Sequence, residues 1–136
     1  MEHDGGCHCG NLTLRLRLTK PPAENAIRSC QCSFCRAHAT RTVSDPDGQV
    51  EIRARDWNGV TRYRFGTGTA EFLLCKTCGI YIGAVCDGKS VTNVNCLNDR
   101  ALFVGEPERR DHGGETTDGR LARRAANWTP AVVHFG

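Results

Sequence analysis

The chain has 136 residues, of which 39% are hydrophobic and 24% charged, and its formal net charge is +3. This length and composition are typical of one globular domain with a buried core, so we predict a single domain over residues 1–136. They exclude a disordered chain, and the longest apolar run, residues 80–86, is too short to cross a bilayer. Charges of both signs are interspersed, which argues against a nucleic-acid partner.

The first strand is predicted where leucines alternate with polar residues, over residues 12–18. A short helix is expected just after Cys32, in the segment SFCRAHA. The next β-rich block, residues 49–65, has a turn signal at Trp57-Asn58-Gly59 and predicts a hairpin or meander.

Three more short strands are expected, at residues 71–75, 80–85 and 91–96. Asp99 is a candidate cap for a turn over residues 100–103. The glycine-rich stretch 113–119 predicts a mobile surface loop, and the basic stretch that follows it fits a surface helix over residues 120–127. So many closely spaced short strands predict a mainly β, antiparallel fold with one or two short helices.

The nine cysteines are the most informative feature of the sequence. The first ten residues, MEHDGGCHCG, lack the basic and apolar segments of a signal peptide, so we expect a cytoplasmic protein. In a reducing compartment, clustered cysteines indicate metal binding or thiol chemistry. Seven of them form three groups, which are Cys7 with Cys9, then Cys30, Cys32 and Cys35, then Cys75 with Cys78.

The first and last groups together are predicted to supply the four sulfurs of a closed structural zinc site, the alternative being that they are ordinary buried thiols. Cys7 and Cys9 lie two apart, so both side chains reach the same side of an extended segment. Cys75 and Cys78 form a CxxCG knuckle, in which Gly79 lets the backbone turn sharply. His8 is expected to point away from the metal, and His3 and His134 are expected to be exposed.

The middle group offers three sulfurs from one short loop, which predicts a catalytic zinc with an open fourth position. A soft, thiolate-rich site of this kind suits an incoming thiol, which it would bind as the nucleophilic thiolate. Three alternatives remain: closure of the shell by His38, closure by Cys86 or Cys96, and a redox pair formed by Cys32 and Cys35.

With CHCG, CQCSFC and CKTCG in this order, the chain resembles the glutathione-dependent formaldehyde-activating (GFA, or CENP-V domain) family. Further stretches that carry the resemblance are Tyr63-Arg64-Phe65, VNCLND at 94–99 and Trp128-Thr129-Pro130. The resemblance implies an Mss4-like fold of coiled antiparallel β-sheets, held by two zinc ions per chain.

The implied activity is that of a carbon–sulfur lyase, which adds glutathione to formaldehyde or cleaves S-hydroxymethylglutathione. By position, Cys30, Cys32 and Cys35 match the ligands of the catalytic zinc. The expected partners are therefore a small thiol, glutathione, and an aldehyde. From another functional class, the alternative is a non-catalytic zinc module, either a thiol carrier or a protein-interaction domain.

Glutathione carries two carboxylates, so its site should offer basic side chains. Arg28, Arg36 and Arg41 flank the three-cysteine loop in sequence. We predict that at least one of them pairs with a substrate carboxylate.

Overall fold

The computed structural model describes residues 1–135, which form a mainly β protein with two α-helices. The helices are α1 (Ser33–His38) and α2 (Thr117–Asn127). The strands are β1 (Glu2–Gly6), β2 (Leu12–Arg17), β3 (Arg28–Cys30), β4 (Thr42–Val43), β5 (Gln49–Ala54), β6 (Val60–Tyr63), β7 (Glu71–Cys75), β8 (Tyr81–Cys86), β9 (Lys89–Asn93), β10 (Glu108–Arg110) and β11 (Thr129–His134). Short 3₁₀ helices occupy Pro22–Glu24, Trp57–Gly59, Val94–Cys96 and Arg100–Leu102.

The strands pair into one mixed sheet, in the order β1-β2-β5-β11-β9-β4-β3-β10, and β6, β7 and β8 join it through the pairing of β8 with β9. The predicted antiparallel pairing holds for most strand pairs but not for all, because β11 runs parallel to β5 and β10 runs parallel to β3. Parallel neighbours need a long crossover. The two strands of each parallel pair are separated by more than half of the sequence, so no local sequence pattern identifies these partners.

The leucine-rich strand is confirmed as β2, in which Leu12, Leu14 and Leu16 are buried and the residues between them are exposed. Residues 49–65 do contain two strands, but they do not form a hairpin. Strand β5 pairs with β2 and β11, whereas β6 pairs with β7. The turn at Trp57 redirects the chain, and the Trp57 indole N–H donates to the His134 carbonyl at 2.7 Å.

The remaining predicted elements are present: β7 has the predicted bounds, and the others have shifted ends. Strand β9 stops at Asn93, whose side chain accepts a hydrogen bond from the Asn95 amide and starts a 3₁₀ helix. Helix α2 begins at Thr117, earlier than predicted, because the Thr116 hydroxyl accepts from the Gly119 amide. The last residues of the expected loop 113–119 are therefore helical. None of the helices in residues 1–135 is long and apolar enough to cross a membrane.

The interior contains one main apolar cluster and a smaller one. The main cluster lies on the buried face of β2 and β5 and includes the four-cysteine region. The smaller cluster is formed by Ala70, Ala84, Cys86, Val91 and Trp128, with Leu121 of α2 packed against it. Helix α2 is thereby fixed near the sheet, which positions its arginines.

His3 contradicts the expectation of an exposed histidine, since it is only 4% exposed. Its Nδ1 lies 2.6 Å from Asp99 Oδ2, and its ring packs edge-on against Phe103. Asp99 makes no capping bond of its own with the 3₁₀ helix that follows it. His8 is exposed and does not belong to the four-cysteine group, whereas His134 is partly buried rather than exposed.

Candidate metal centres and the adjoining cavity

Two turns, far apart in sequence, bring the four-cysteine group together. Cys7 and Cys9 lie in the turn between β1 and β2, while Cys75 ends β7 and Cys78 lies in the turn before β8. The Cys7 sulfur is 3.6 Å from that of Cys9, and the Cys9 sulfur is 3.4 Å from that of Cys75. All four sulfurs lie within 4.8 Å of one another.

These separations fit a tetrahedral metal, because metal–sulfur bonds of about 2.3 Å place the sulfurs about 3.8 Å apart. The four side chains can therefore hold one ion without rearrangement of the backbone. They are the residues predicted from the sequence for the closed site.

The backbone around this group favours thiolates. The Leu12 amide donates to the Cys7 sulfur at 3.2 Å. Burial raises the pKa of Cys78, but hydrogen bonds from the amides of Cys9 and Ile80 outweigh burial and lower the pKa to about 6. Gly79 adopts φ +80°, a left-handed conformation that a side chain would strain. The predicted glycine role in the knuckle is thus present.

The three-cysteine group is built where β3 meets α1. Cys30 is the last residue of β3, Cys32 is the N-cap of α1, and Cys35 lies in its first turn. The Cys32 sulfur accepts a hydrogen bond from the Cys35 amide at 3.4 Å. Hydrogen bonds from Cys30 and Cys35 lower the pKa of Cys32, which favours a thiolate at the helix N-terminus. The three sulfurs lie within 4.8 Å of one another and can share one ion.

None of the predicted closing residues joins this group in the part of the chain that the structure describes. His38 is exposed and packs its ring on Phe34, with the centroids 4.5 Å apart. The Cys86 sulfur lies 3.8 Å from an Arg124 nitrogen. The Cys96 thiol donates to the Ile82 carbonyl at 3.7 Å, and burial raises its pKa to about 12. Cys86 and Cys96 are therefore buried outside both cysteine groups.

A cavity of about 160 Å³ adjoins the three-cysteine group. Its walls combine the three cysteines with aromatic rings and guanidinium groups. The aromatic residues are Phe65, Phe72, Tyr81 and Trp128, and the arginines are Arg28, Arg110, Arg120, Arg123 and Arg124. Asp111 is the single carboxylate among the lining residues that the structure describes. The cavity is therefore apolar in body and strongly cationic.

Of the three arginines predicted from the sequence, Arg28 alone is among the described lining residues. Arg36 is exposed on α1. Arg41 instead has a structural position, because its Nε donates to Asn95 Oδ1 at 2.9 Å and a terminal nitrogen donates to the Phe103 carbonyl at 3.2 Å.

The contribution of α2 to the cavity was not expected from the sequence. The basic stretch 120–124 predicts a solvated surface helix, but Arg120, Arg123 and Arg124 all line the cavity. Residues spaced three and four apart share a helix face, so this spacing was the signal that could have identified them. His112 also lines the cavity, and burial followed by repulsion from Arg123 lowers its pKa. It is therefore a neutral histidine near neutral pH.

The fold and site define a mainly β protein with two cysteine groups that can bind metal, one of them open to a cavity. No family model matches the chain. A Rhodobacter sphaeroides protein of known crystal structure, solved as a structural genomics target, is 33% identical. The similarity covers 79% of this chain and 99% of that protein, with a TM-score of 0.57. The chain belongs to the same family as this Rhodobacter protein.

Proposed function

We propose that the protein is a zinc-dependent carbon–sulfur lyase that acts on adducts of glutathione with an aldehyde, formaldehyde being the simplest. The observation that carries the proposal is the set of three sulfurs, without a fourth protein ligand in residues 1–135, on the wall of a cavity. The resemblance of the cysteine motifs to the GFA family supports the same activity. The expected location is cytoplasmic.

The two cysteine groups have different roles in this proposal. Cys7, Cys9, Cys75 and Cys78 would hold a structural zinc, whereas Cys30, Cys32 and Cys35 would hold a second zinc. When bound, the second ion would lower the pKa of a substrate thiol at its free position and present it as a thiolate. Zinc prefers thiolate ligands, whereas harder cations prefer oxygen ligands.

In the synthetic direction, the thiolate sulfur attacks the carbonyl carbon, a carbon–sulfur bond forms, and the carbonyl oxygen takes up a proton to become a hydroxyl. Cleavage reverses each step, and the hydroxyl loses its proton as the bond breaks. Tyr81 lines the cavity, and burial raises the pKa of its phenol, so that it stays protonated and can donate a hydrogen bond to the oxygen. His112 is neutral and is our candidate for exchanging the proton.

The cavity also bears on the alternative of a non-catalytic module. A protein-interaction domain requires a broad surface patch, whereas the three cysteines here adjoin a concave site, which is the typical form of a small-molecule site. We therefore favour the enzyme over a protein-binding module.

The test is the Cys32→Ser variant, assayed for turnover of S-hydroxymethylglutathione. Serine is a good N-cap, so α1 should be retained while one metal ligand is weakened. We expect turnover to fall at least a hundredfold while the protein stays folded and loses only about 2 kcal/mol of unfolding free energy. Cys96→Ser, a buried cysteine outside both groups, is the matched control. Wild-type turnover by Cys32→Ser would refute the catalytic role of this group.

A further inference from the structure

The cavity contains two guanidinium groups that lack an acidic partner. Arg123 is paired with Glu115, with Nε 2.8 Å from Oε2, and Arg110 is paired with Glu108. Within residues 1–135, neither Arg28 nor Arg124 has a carboxylate within 4.0 Å. The cavity therefore holds positive charge that the protein itself does not balance.

Arg124 is the more informative of the two, because it is only 7% exposed. One terminal nitrogen donates to Thr69 Oγ1 at 2.8 Å, and the guanidinium carbon lies 4.9 Å from the centre of the Trp128 ring. Its Nε has no hydrogen-bond partner, nor does Nε of Arg120. A buried charge with an unused donor is costly, and such charges in native proteins are normally paired. An anion bound beside the guanidinium group would balance its charge.

Arg28 is the second of these guanidinium groups and lies on β3, the strand that carries Cys30. It donates to Ser44 Oγ, and burial followed by repulsion from Arg123 and Arg110 lowers its pKa. The rings of Phe65, Phe72 and Trp128 belong to the same wall. The cavity thus combines guanidinium hydrogen-bond donors, which can bind an anion, with aromatic rings, which can pack against a planar apolar group. A cavity of about 150 Å³ accommodates a benzene ring, so this one encloses a group the size of one ring, and the rest of a tripeptide would lie outside it.

We propose that this cavity binds an organic carboxylate with an apolar body about the size of one ring, with its carboxylate held by Arg124 and Arg28. The inference rests on the proposed function in one respect, that the carboxylate belongs to the thiol–aldehyde substrate. The preferred substrate is then an adduct that carries a carboxylate on an apolar group, and formaldehyde is too small to fill the site. The carboxylate can come from the thiol or from the aldehyde.

Binding is tested first without turnover, by calorimetric titration of the zinc-loaded protein with phenylacetate and with its neutral analogue phenylacetamide. We expect phenylacetate to bind at least tenfold more tightly, because charge-assisted hydrogen bonds distinguish the two ligands. Arg124→Gln and Arg28→Gln should each remove most of this preference. Arg36→Gln is the matched control, since Arg36 is exposed on α1 and lies close to Cys35 in sequence.

Because a buried arginine variant can fail to fold, the wild-type comparison decides by itself. Equal binding of phenylacetate and phenylacetamide by the wild type would overturn the proposal, as would an undiminished preference in folded Arg124→Gln and Arg28→Gln. This experiment does not depend on catalysis. Selective binding of phenylacetate without turnover of any adduct would refute the proposed lyase activity but support the proposed carboxylate site.

Turnover then identifies the source of the carboxylate. We compare 4-formylbenzoate with benzaldehyde, each with glutathione and with N-acetylcysteamine, a thiol that lacks carboxylates. Preference for 4-formylbenzoate with both thiols assigns the carboxylate to the aldehyde, and preference for glutathione with both aldehydes assigns it to the thiol. Either preference supports the proposal when folded Arg124→Gln loses it, and a preference that this variant keeps would overturn the proposal. Turnover without either preference would overturn it while leaving the lyase intact.

Discussion

Removal of one ligand of the four-cysteine group should destabilise the whole protein. Cys78→Ser leaves three sulfurs, which weakens metal binding, and bound structural metal contributes directly to folding free energy. The link between the Cys9 and Cys75 sulfurs spans 66 residues. For a covalent cross-link of that length, the loop-closure model gives about 4 kcal/mol of stabilisation. This is a large part of the roughly 5–15 kcal/mol that stabilises a typical domain.

The three-cysteine group closes only the short loop from Cys30 to Cys35, for which the same model gives about 2 kcal/mol. We therefore expect Cys78→Ser to lose about 2 kcal/mol more unfolding free energy than Cys32→Ser. The difference should disappear when both variants and the wild type are measured after complete metal chelation, since no cross-link then remains.

The assay is urea unfolding monitored by circular dichroism, on zinc-loaded and chelated protein. Cys96→Ala is the control for the loss of a buried thiol without a metal role, and we expect it to cost about 1 kcal/mol. Equal destabilisation by Cys78→Ser and Cys32→Ser in the zinc-loaded protein would refute the division into a structural and a functional site.

Three further predictions concern stability. Asp99→Ala leaves the buried His3 ring without its partner and should cost about 2 kcal/mol in urea unfolding, whereas exposed Asn98→Ala should cost little; equal costs would contradict the role of the pair. Burial raises the pKa of Asp45, but hydrogen bonds from Thr19 outweigh this effect, so the pKa is lowered overall. The stability that Asp45 contributes is therefore present above about pH 4 and is lost as the pH falls through the folded-state pKa. The unfolding free energies of wild type and Asp45→Asn should therefore converge in acid; a constant difference would contradict this. Gly83→Ala places its Cβ 2.4 Å from the Val91 carbonyl oxygen and should lower the melting temperature more than Gly79→Ala, where the added Cβ meets no atom within 4 Å and strains only the left-handed backbone.

The cysteine groups could be predicted from the sequence because the three-cysteine group is one short motif and the four-cysteine group combines two. Cys30, Cys32 and Cys35 come from a single loop, and Cys75 and Cys78 from a single turn, so spacing alone shows which sulfurs can share an ion. The strand β2 was predictable for a similar reason, since alternation of leucines is a local property. The prediction that zinc is the ion at these groups rests on thiolate chemistry.

The cavity could not be predicted in the same way. Its arginines come from β3, β10 and α2, and its aromatic rings from β7, β8 and the segments beside them. These segments meet only because β10 pairs with β3 and β11 inserts between β5 and β9. Such pairing depends on long-range packing, and no local pattern of β10 or β11 specifies the partner. The buried contact between His3 and Asp99 escaped prediction for the same reason.

The most direct test of the central claim is a glutathione titration of the protein in which cobalt(II) replaces zinc at two ions per chain. The account predicts a new sulfur-to-cobalt absorption that saturates at one thiol per chain and is absent in Cys32→Ser, because the substrate thiol fills the free position at Cys30, Cys32 and Cys35. An unchanged spectrum at saturating glutathione would contradict an open thiol-binding metal site.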